Sequence, residues 1–229
     1  NWTSGGTLNT GRYQFAGCGL QTAAIGFGGR DPTTGKTEIY NGTSWTEVAA
    51  LNTARQNLGG AGIQTSALAF GGFTPGALAV TEFWNGTSWT EVADLATARY
   101  QLAGAGTSSL ALAFGGNVTP HTAATEEFTA ATITDTIKNE GQVYYNTTTN
   151  LLKLTATVYG TGTWASGGAL NLARTNLAGC GTQGAGLAFG GQNAGFKNES
   201  EEYDGTSWVE GNNLNTAMAY LGGCGTQTA

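Results

Sequence analysis

The chain has 229 residues, which is enough for one domain with a hydrophobic core. Only 10% of the residues are charged, against roughly 25% in an average soluble domain, and glycine occupies 38 positions, so we expect a mostly neutral, polar surface. A net charge of −6 with nine lysines and arginines excludes a protein that follows nucleic-acid phosphates, because such proteins need clustered basic residues.

A repeat of about 44 residues runs through the chain. One copy reads LNTARQNLGGAGIQTSALAFGG from Leu51 to Gly72, and related copies begin near Leu8, Leu95, Leu170 and Leu214. The tryptophans follow the same spacing, at Trp2, Trp45, Trp89, Trp164 and Trp208. Self-similarity at this period is typical of repeat architectures in which like units stack. The chain lacks an initiating methionine and opens inside a repeat, so we expect a fragment or a processed product.

Within each repeat, turn chemistry predicts four short strands. In the second copy these are Gln56 to Gly62, Ser66 to Gly72, Val80 to Trp84, and a last strand around Trp89. Asn-Gly or Asp-Gly pairs precede the last strand at residues 41–42, 85–86 and 204–205, and they predict tight hairpins with positive φ at both central residues. Four strands in about 44 residues predict one blade of a β-propeller.

This pattern resembles the kelch family of propellers. The shared features are an arginine before the first strand, a Gly-Gly pair that ends the second, an aromatic residue on the third, and a tryptophan on the fourth. Those residues are Arg12, Arg55, Arg99 and Arg174; the pairs at 28–29, 71–72, 115–116 and 190–191; Tyr40, Trp84, Phe128 and Tyr203; and the tryptophans. Met218 departs from the pattern because it stands where the arginine is expected. We expect the recurring acids Glu38, Glu82, Glu126 and Glu201 to pair with the arginines.

The resemblance implies an all-β fold: a kelch-like propeller of four-stranded blades that forms one domain over residues 1–229. We expect about five blades, with six or seven as alternatives. Residues 129–162 interrupt the third full blade, and the sequence GQVYYNTTTNLLKL within them predicts a β-hairpin. That stretch resembles an element of bacteriophage tail-fibre and other virion proteins. Tyr144, Tyr145, Leu151 and Leu152 are therefore candidate partner-docking residues.

The sequence contains few residues that could form a catalytic or metal-binding centre. His121 is the only histidine, which leaves no Ser-His-Asp arrangement and no histidine-rich metal site. Copper radical oxidases occur among kelch-like propellers but need two histidines. Cys18, Cys180 and Cys224 share one repeat position and form a weak candidate thiolate metal site, although alanine at this position in two other copies favours a small buried residue instead. We expect no enzyme activity and no cofactor.

The loops between the second and third strands differ most among the repeats, and variable loops on a uniform scaffold are typical of recognition. Their distinctive side chains are candidate ligand-binding residues: Arg30, Asp31, Lys36, Phe73, His121, Phe196 and Lys197. Aromatic and neutral polar groups suit sugars.

We therefore expect a virion structural or attachment protein, such as a tail fibre, appendage or capsid decoration. Its partners would be other virion proteins or a host-surface glycan or protein. A secreted or cell-surface bacterial adhesin of the kelch type is the alternative. No apolar stretch is long enough to insert into a membrane, and a homo-oligomer remains open.

Overall fold

The computed structural model describes residues 4–131, 143–146, 151–154 and 161–227. The first blade contains β1 (Ala16–Leu20), β2 (Ala23–Phe27), β3 (Thr37–Tyr40) and β4 (Trp45–Val48). The second contains β5 (Gly59–Ile63), β6 (Ser66–Phe70), β7 (Thr81–Trp84) and β8 (Trp89–Glu91). In both sheets each strand pairs antiparallel with the next along the chain.

The third blade starts with β9 (Ala103–Gly106), β10 (Leu110–Phe114) and β11 (Thr125–Thr129). The strands β12 (Val143–Asn146) and β13 (Leu151–Leu154) then pair antiparallel as a separate sheet. Next, β14 (Thr163–Ser166) returns to complete the third blade beside β11. The fourth blade contains β15 (Ala178–Thr182), β16 (Ala185–Phe189), β17 (Ser200–Tyr203) and β18 (Trp208–Glu210). The chain is thus an all-β propeller with four-stranded blades.

Four blades are present in the described residues, so the expectation of about five, or of six or seven, is wrong. A further copy of the repeat does begin near Leu214, but residues 211–227 form no strand. The physical reason is that the described residues supply no second strand for this segment, and an isolated first strand cannot form a ladder. It still lines the central channel, where Gly223, Cys224 and Gly225 face the same cavity as β1, β5, β9 and β15.

Glycines allow the first strands of neighbouring blades to approach closely around the channel. A Cβ on Gly104 would lie 2.5 Å from the carbonyl oxygen of Gly60 in the preceding blade. The Gly-Gly pair that ends each second strand has the predicted positive φ, 62° and 114° at Gly71 and Gly72. Gly72 then donates its N–H to the carbonyl oxygen of Arg99 in the next blade, so this conformation also connects the blades.

Each blade contains the expected buried ion pair between its arginine and its third-strand glutamate. The pairs are Arg12–Glu38, Arg55–Glu82, Arg99–Glu126 and Arg174–Glu201, and at most 5% of any of these side chains is exposed. The same glutamate also accepts a hydrogen bond from the backbone at the start of its repeat, as Glu82 does from Asn52 at 2.7 Å. One carboxylate therefore holds the entry segment and the third strand of a blade together.

The Asn-Gly hairpins differ from the predicted turn. Positive φ occurs at Gly42 (91°) and Gly86 (91°) but not at the asparagines that precede them. Instead, the side-chain oxygen of Asn41 accepts hydrogen bonds from the N–H groups of Thr43 and Ser44 at 3.0 and 2.9 Å. The loop is thus closed by a side chain that imitates a backbone turn, and the two-residue hairpin prediction is wrong.

Candidate ligand-binding site

A cavity of about 620 Å³ lies at one mouth of the central channel. Its wall is made from the residues just before and at the start of each first strand. It is lined by Tyr13, Gln14, Phe15, Asn57, Leu58, Gln101, Leu102, Asn176, Leu177, Tyr220 and Leu221. None of these side chains carries a charge, so the site presents hydrogen-bonding amides, phenols and apolar groups alone.

One lining position recurs in every repeat, two residues after the arginine. It holds Gln14, Asn57, Gln101 and Asn176, and Tyr220 in the last copy. All five have left-handed backbone geometry, with φ between 53° and 60°. This conformation is uncommon for residues other than glycine, and strained positions of this kind cluster at functional sites.

A belt of backbone hydrogen bonds holds these residues in place. Asn57 donates its N–H to Gln14, Gln101 to Asn57, Asn176 to Gln101, and Tyr220 to Asn176, with N–O distances of 2.8–3.0 Å. The belt connects neighbouring blades and orders the backbone from which each side chain projects at the mouth. Because the backbone is already ordered, a ligand would meet a preformed arrangement of amides.

Several polar atoms of the mouth remain available. In the described part of the chain, the side-chain amides of Asn57 and Gln101 make no hydrogen bond, and Oε1 of Gln14 is buried without a partner. Tyr13 and Tyr220 are 52% and 65% exposed, so their rings can contact a ligand as well as the solvent. The mouth therefore combines unused amides with accessible aromatic faces.

The variable loops surround this mouth, because each loop begins with a backbone bridge to the residue beside the belt. The bridges are Tyr13–Arg30, Gln56–Phe73, Tyr100–Asn117 and Thr175–Gln192. Phe73 packs on Tyr100 with ring centroids 5.0 Å apart. Phe196 is 59% exposed at a loop tip, and the exposed residues Arg30 and Asp31 lie in the first loop.

None of the seven predicted ligand-binding residues is among those that line the cavity. Lys36 extends its ammonium group to Glu47, at 2.9 Å, and to the hydroxyl of Thr10. The backbone N–H of Lys197 bonds to Gly191 within its own loop. His121 bridges to Asn117, and its Nδ1 is buried with no hydrogen-bond partner in the described residues. Of the candidate docking residues, Tyr144 and Tyr145 belong to β12, and Leu151 and Leu152 to β13, while much of 129–162 lies outside the described residues.

No protein-family model matches this chain, and no curated protein matches it significantly. The resemblances to kelch repeats and to virion proteins therefore remain predictions. Within the described ranges, no helix has the length and apolar character needed to cross a bilayer.

The three cysteines line the channel beyond the mouth, as free thiols. Cys18 packs against the core between the first two blades, and burial raises its pKa to about 12. Burial, followed by the nearby Cys224, also raises the pKa of Cys180. The residues that the structure describes contain no group of three His, Cys, Asp or Glu side chains able to hold an ion.

The belt residues were not predicted from the sequence, although the sequence contains a signal for them. The predicted site residues occupy positions that differ among the repeats, whereas the belt residues occupy one repeat position that is an amide in four copies. A glutamine or asparagine at the same place in every full repeat has no obvious role in a strand, and Asn is among the residues that tolerate positive φ. That combination could have indicated a ring of amides.

Proposed function

We propose that this protein is a non-enzymatic binding module that recognises an uncharged, hydroxyl-rich ligand, a glycan, at the channel mouth. One observation carries the proposal: none of the described residues that line the mouth has a charged side chain, yet four of them are amides held on the belt of backbone hydrogen bonds. Amides both donate and accept hydrogen bonds, which matches the chemistry of sugar hydroxyls. A charged ligand would lose its hydration here without gaining a counter-charge.

The exposed tyrosines supply the other half of sugar recognition. Tyr13 and Tyr220 present flat, apolar rings with a polar end, and Phe15 adds a third ring that is 39% exposed. Such rings bury large areas at small entropic cost because they have few rotatable bonds. We infer that a terminal sugar residue contacts these rings while its hydroxyls reach the amides, and that the variable loops contact the residues that follow it.

The biological setting of the proposal is a virion attachment or structural protein that contacts the host surface. Support comes from the low charge, the near-identical repeats, and the resemblance of the segment containing β12 and β13 to a virion element. The secreted or cell-surface adhesin is the second candidate. Both use the same mouth, so the ligand experiment and the localisation experiment are separate.

The ligand proposal is tested with a glycan array, followed by titration calorimetry of the best binder. The informative variants are Asn57→Gly and Gln101→Gly, because glycine accepts positive φ and so removes the amide without straining the belt. Loss of one or two hydrogen bonds of about 1 kcal/mol each should weaken binding roughly fivefold to thirtyfold.

Gln21→Gly is the matched control. It removes an exposed amide from the turn between β1 and β2, at the opposite end of the blade. We expect its affinity to equal that of the original protein. Equal weakening by Gln21→Gly, or affinity that survives both mouth variants, would place the ligand elsewhere.

Localisation is tested by immunogold electron microscopy of purified virions and of intact bacterial cells from the source culture. Labelled virions would support the attachment protein. Label confined to the cell surface or to the medium would refute it and support the adhesin.

A further inference from the structure

The variable loops of three blades share a backbone ladder that leads away from the belt. The residue beside the belt bridges to the first residue of the loop, and that residue bridges in turn to the residue that closes the loop. These ladders are Gln56–Phe73–Ala77, Tyr100–Asn117–His121 and Thr175–Gln192–Phe196. Since neighbouring strands lie about 4.8 Å apart, the backbone of each closing residue lies roughly 10 Å from the residue beside the belt.

The closing residue of the fourth blade differs from the other two in what it offers to a ligand. Ala77 has no side chain beyond its Cβ, and His121 is partly buried. Phe196 carries an aromatic ring that is 59% exposed. Phe73, the other phenylalanine of these loops, packs on Tyr100. Among the described closing residues, Phe196 alone presents an exposed aromatic ring at this distance from the belt.

Hydrogen bonds order the fourth-blade loop. Asn193 donates its backbone N–H to Gly195 at 3.0 Å and its side-chain N–H to the carbonyl oxygen of Ala173 at 2.8 Å. Ala194 has a φ of 49°, which is uncommon for a residue other than glycine, and strained positions of this kind cluster at functional sites. The backbone that carries Phe196 is therefore ordered before a ligand arrives, which lowers the entropic cost of binding.

The polar group beside Phe196 is of the same kind as those at the mouth. Gln192, which bridges to Phe196, has a side-chain amide that makes no hydrogen bond within the described residues. An amide can donate to and accept from sugar hydroxyls, while an aromatic ring covers the apolar face of a sugar. The loop thus repeats the combination of amides and aromatic rings that lines the mouth.

We propose that the fourth-blade loop forms a second sugar subsite, in which the Phe196 ring stacks on a later residue of the glycan and the Gln192 amide contacts the hydroxyls of that residue. This inference rests on the proposed function, since it needs the terminal sugar to lie at the mouth. A pyranose advances a glycan chain by about one strand spacing, so a distance of roughly 10 Å places the third sugar residue on Phe196. The protein therefore prefers neutral oligosaccharides of at least three residues to shorter ones.

Calorimetric titration with shortened glycans tests the proposal. The probes are the neutral glycan that the array selects, its forms shortened from the reducing end to three and to two residues, and the methyl glycoside of its terminal sugar. We expect Phe196→Ala to weaken the binding of forms with three or more residues roughly twofold to tenfold, as the loss of one stacking contact does. The two-residue form and the methyl glycoside should bind with unchanged affinity. Phe196→Tyr retains a ring and should keep the affinity for the longer forms.

Val209→Ala is the matched control, because Val209 is as exposed as Phe196, at 59%, and lies on β18 at the outer edge of the same blade. Every probe should bind this variant as it binds the original protein. Asn57→Gly separates the two proposals, since Asn57 lines the mouth and its amide should contact the terminal sugar. This variant should weaken the binding of every probe, including the methyl glycoside.

Two results would overturn the second subsite alone. If Asn57→Gly weakens every probe and Phe196→Ala weakens none, the glycan occupies the mouth without contacting the fourth-blade loop. If Phe196→Ala weakens the methyl glycoside as much as the three-residue form, Phe196 acts on the terminal sugar and a separate subsite is absent. A third result would overturn both proposals: either the array selects no neutral glycan, or neither variant weakens the binding of any probe.

Discussion

The buried ion pair of the second blade makes the sharpest prediction about stability. Neither Arg55 nor Glu82 has an exposed side chain, and the guanidinium also donates to the carbonyl oxygens of Thr53 and Ala69 at 3.0 and 3.1 Å. Burial lowers the pKa of Arg55, while the contact with Glu82 raises it again. The arginine remains charged because its ordinary pKa is above 12.

Glu82→Gln would leave a buried guanidinium without its counter-charge. We expect the free energy of unfolding to fall by about 3–5 kcal/mol, which is the usual cost of removing one partner of a buried pair. The double variant Arg55→Met/Glu82→Leu should recover most of this loss, because neither charge then needs solvation.

Guanidinium unfolding followed by tryptophan fluorescence and circular dichroism measures these changes. Glu47→Gln is the control because Lys36 and Glu47 form an ion pair whose side chains are 39% and 48% exposed, and its loss should cost below about 1 kcal/mol. A loss of stability in Glu82→Gln no larger than that in Glu47→Gln would contradict this expectation. A double variant as unstable as the single one would contradict it as well.

Three further outcomes follow from the same structure. Burial acts to raise the pKa of Glu38, but the hydrogen bonds from Arg12 and Asn9 and the charge of Arg12 together outweigh it and hold the pKa below the ordinary value of about 4.3. Glu38 therefore stabilises the fold above that pH and loses this contribution as the pH falls through its folded pKa, so Glu38→Gln should flatten the stability profile in acid, as measured by unfolding at a series of pH values. Gly104→Ala should lower the free energy of unfolding by about 1–3 kcal/mol, measured by thermal or chemical unfolding, because the new Cβ would contact the backbone of the preceding blade. A Cβ at Gly184 would meet open space, so Gly184→Ala should leave the free energy of unfolding nearly unchanged. Burial and a hydrogen bond to a carboxylate raise the pKa of Tyr203 to about 12, so the fold loses stability as the pH rises above about 10, where the unfolded chain ionises. Tyr203→Phe should remove that loss, and an absorbance titration should lose its last phenolate step.

The four-stranded blade could be predicted from the sequence because each repeat contains the residues that set its turns and its buried ion pair. The glycine pair fixes where the second strand ends, and the arginine and glutamate recur at the spacing that lets them pair. The predicted second-copy strands agree with β5 to β8 apart from shifts of up to three residues at their ends. Such a fold can be predicted from the sequence because the local turn residues and the repeat period indicate the same structure.

The number of blades could not be predicted in this way. A copy with the sequence of a first strand begins at Leu214. A strand also needs an adjacent strand that supplies its hydrogen bonds, and residues 214–227 contain no such adjacent strand. The hairpin turns failed for a related reason. Asn-Gly is compatible with several loop lengths, and the hydrogen bonds that Asn41 makes to Thr43 and Ser44 decide between them.

The residues that line the cavity were not among those predicted from the sequence. The predicted residues lie in loops that begin beside the mouth, whereas the amides that line the cavity come from a repeat position that hardly varies. Their convergence depends on the ring arrangement of the blades, which brings residues more than 160 positions apart, such as Gln14 and Asn176, into one cavity.

The central claim is that the amides of the belt bind an uncharged glycan, and side-chain amide NMR tests it most directly. The protein is labelled with ¹⁵N in glutamine and asparagine and titrated with the best glycan from the array. We expect the side-chain signals of Gln14, Asn57, Gln101 and Asn176 to shift together with one affinity, while those of Gln21, at the opposite end of the blade, stay unchanged. Shifts confined to Gln21 and its neighbours, or no shift at saturating glycan, would contradict the claim.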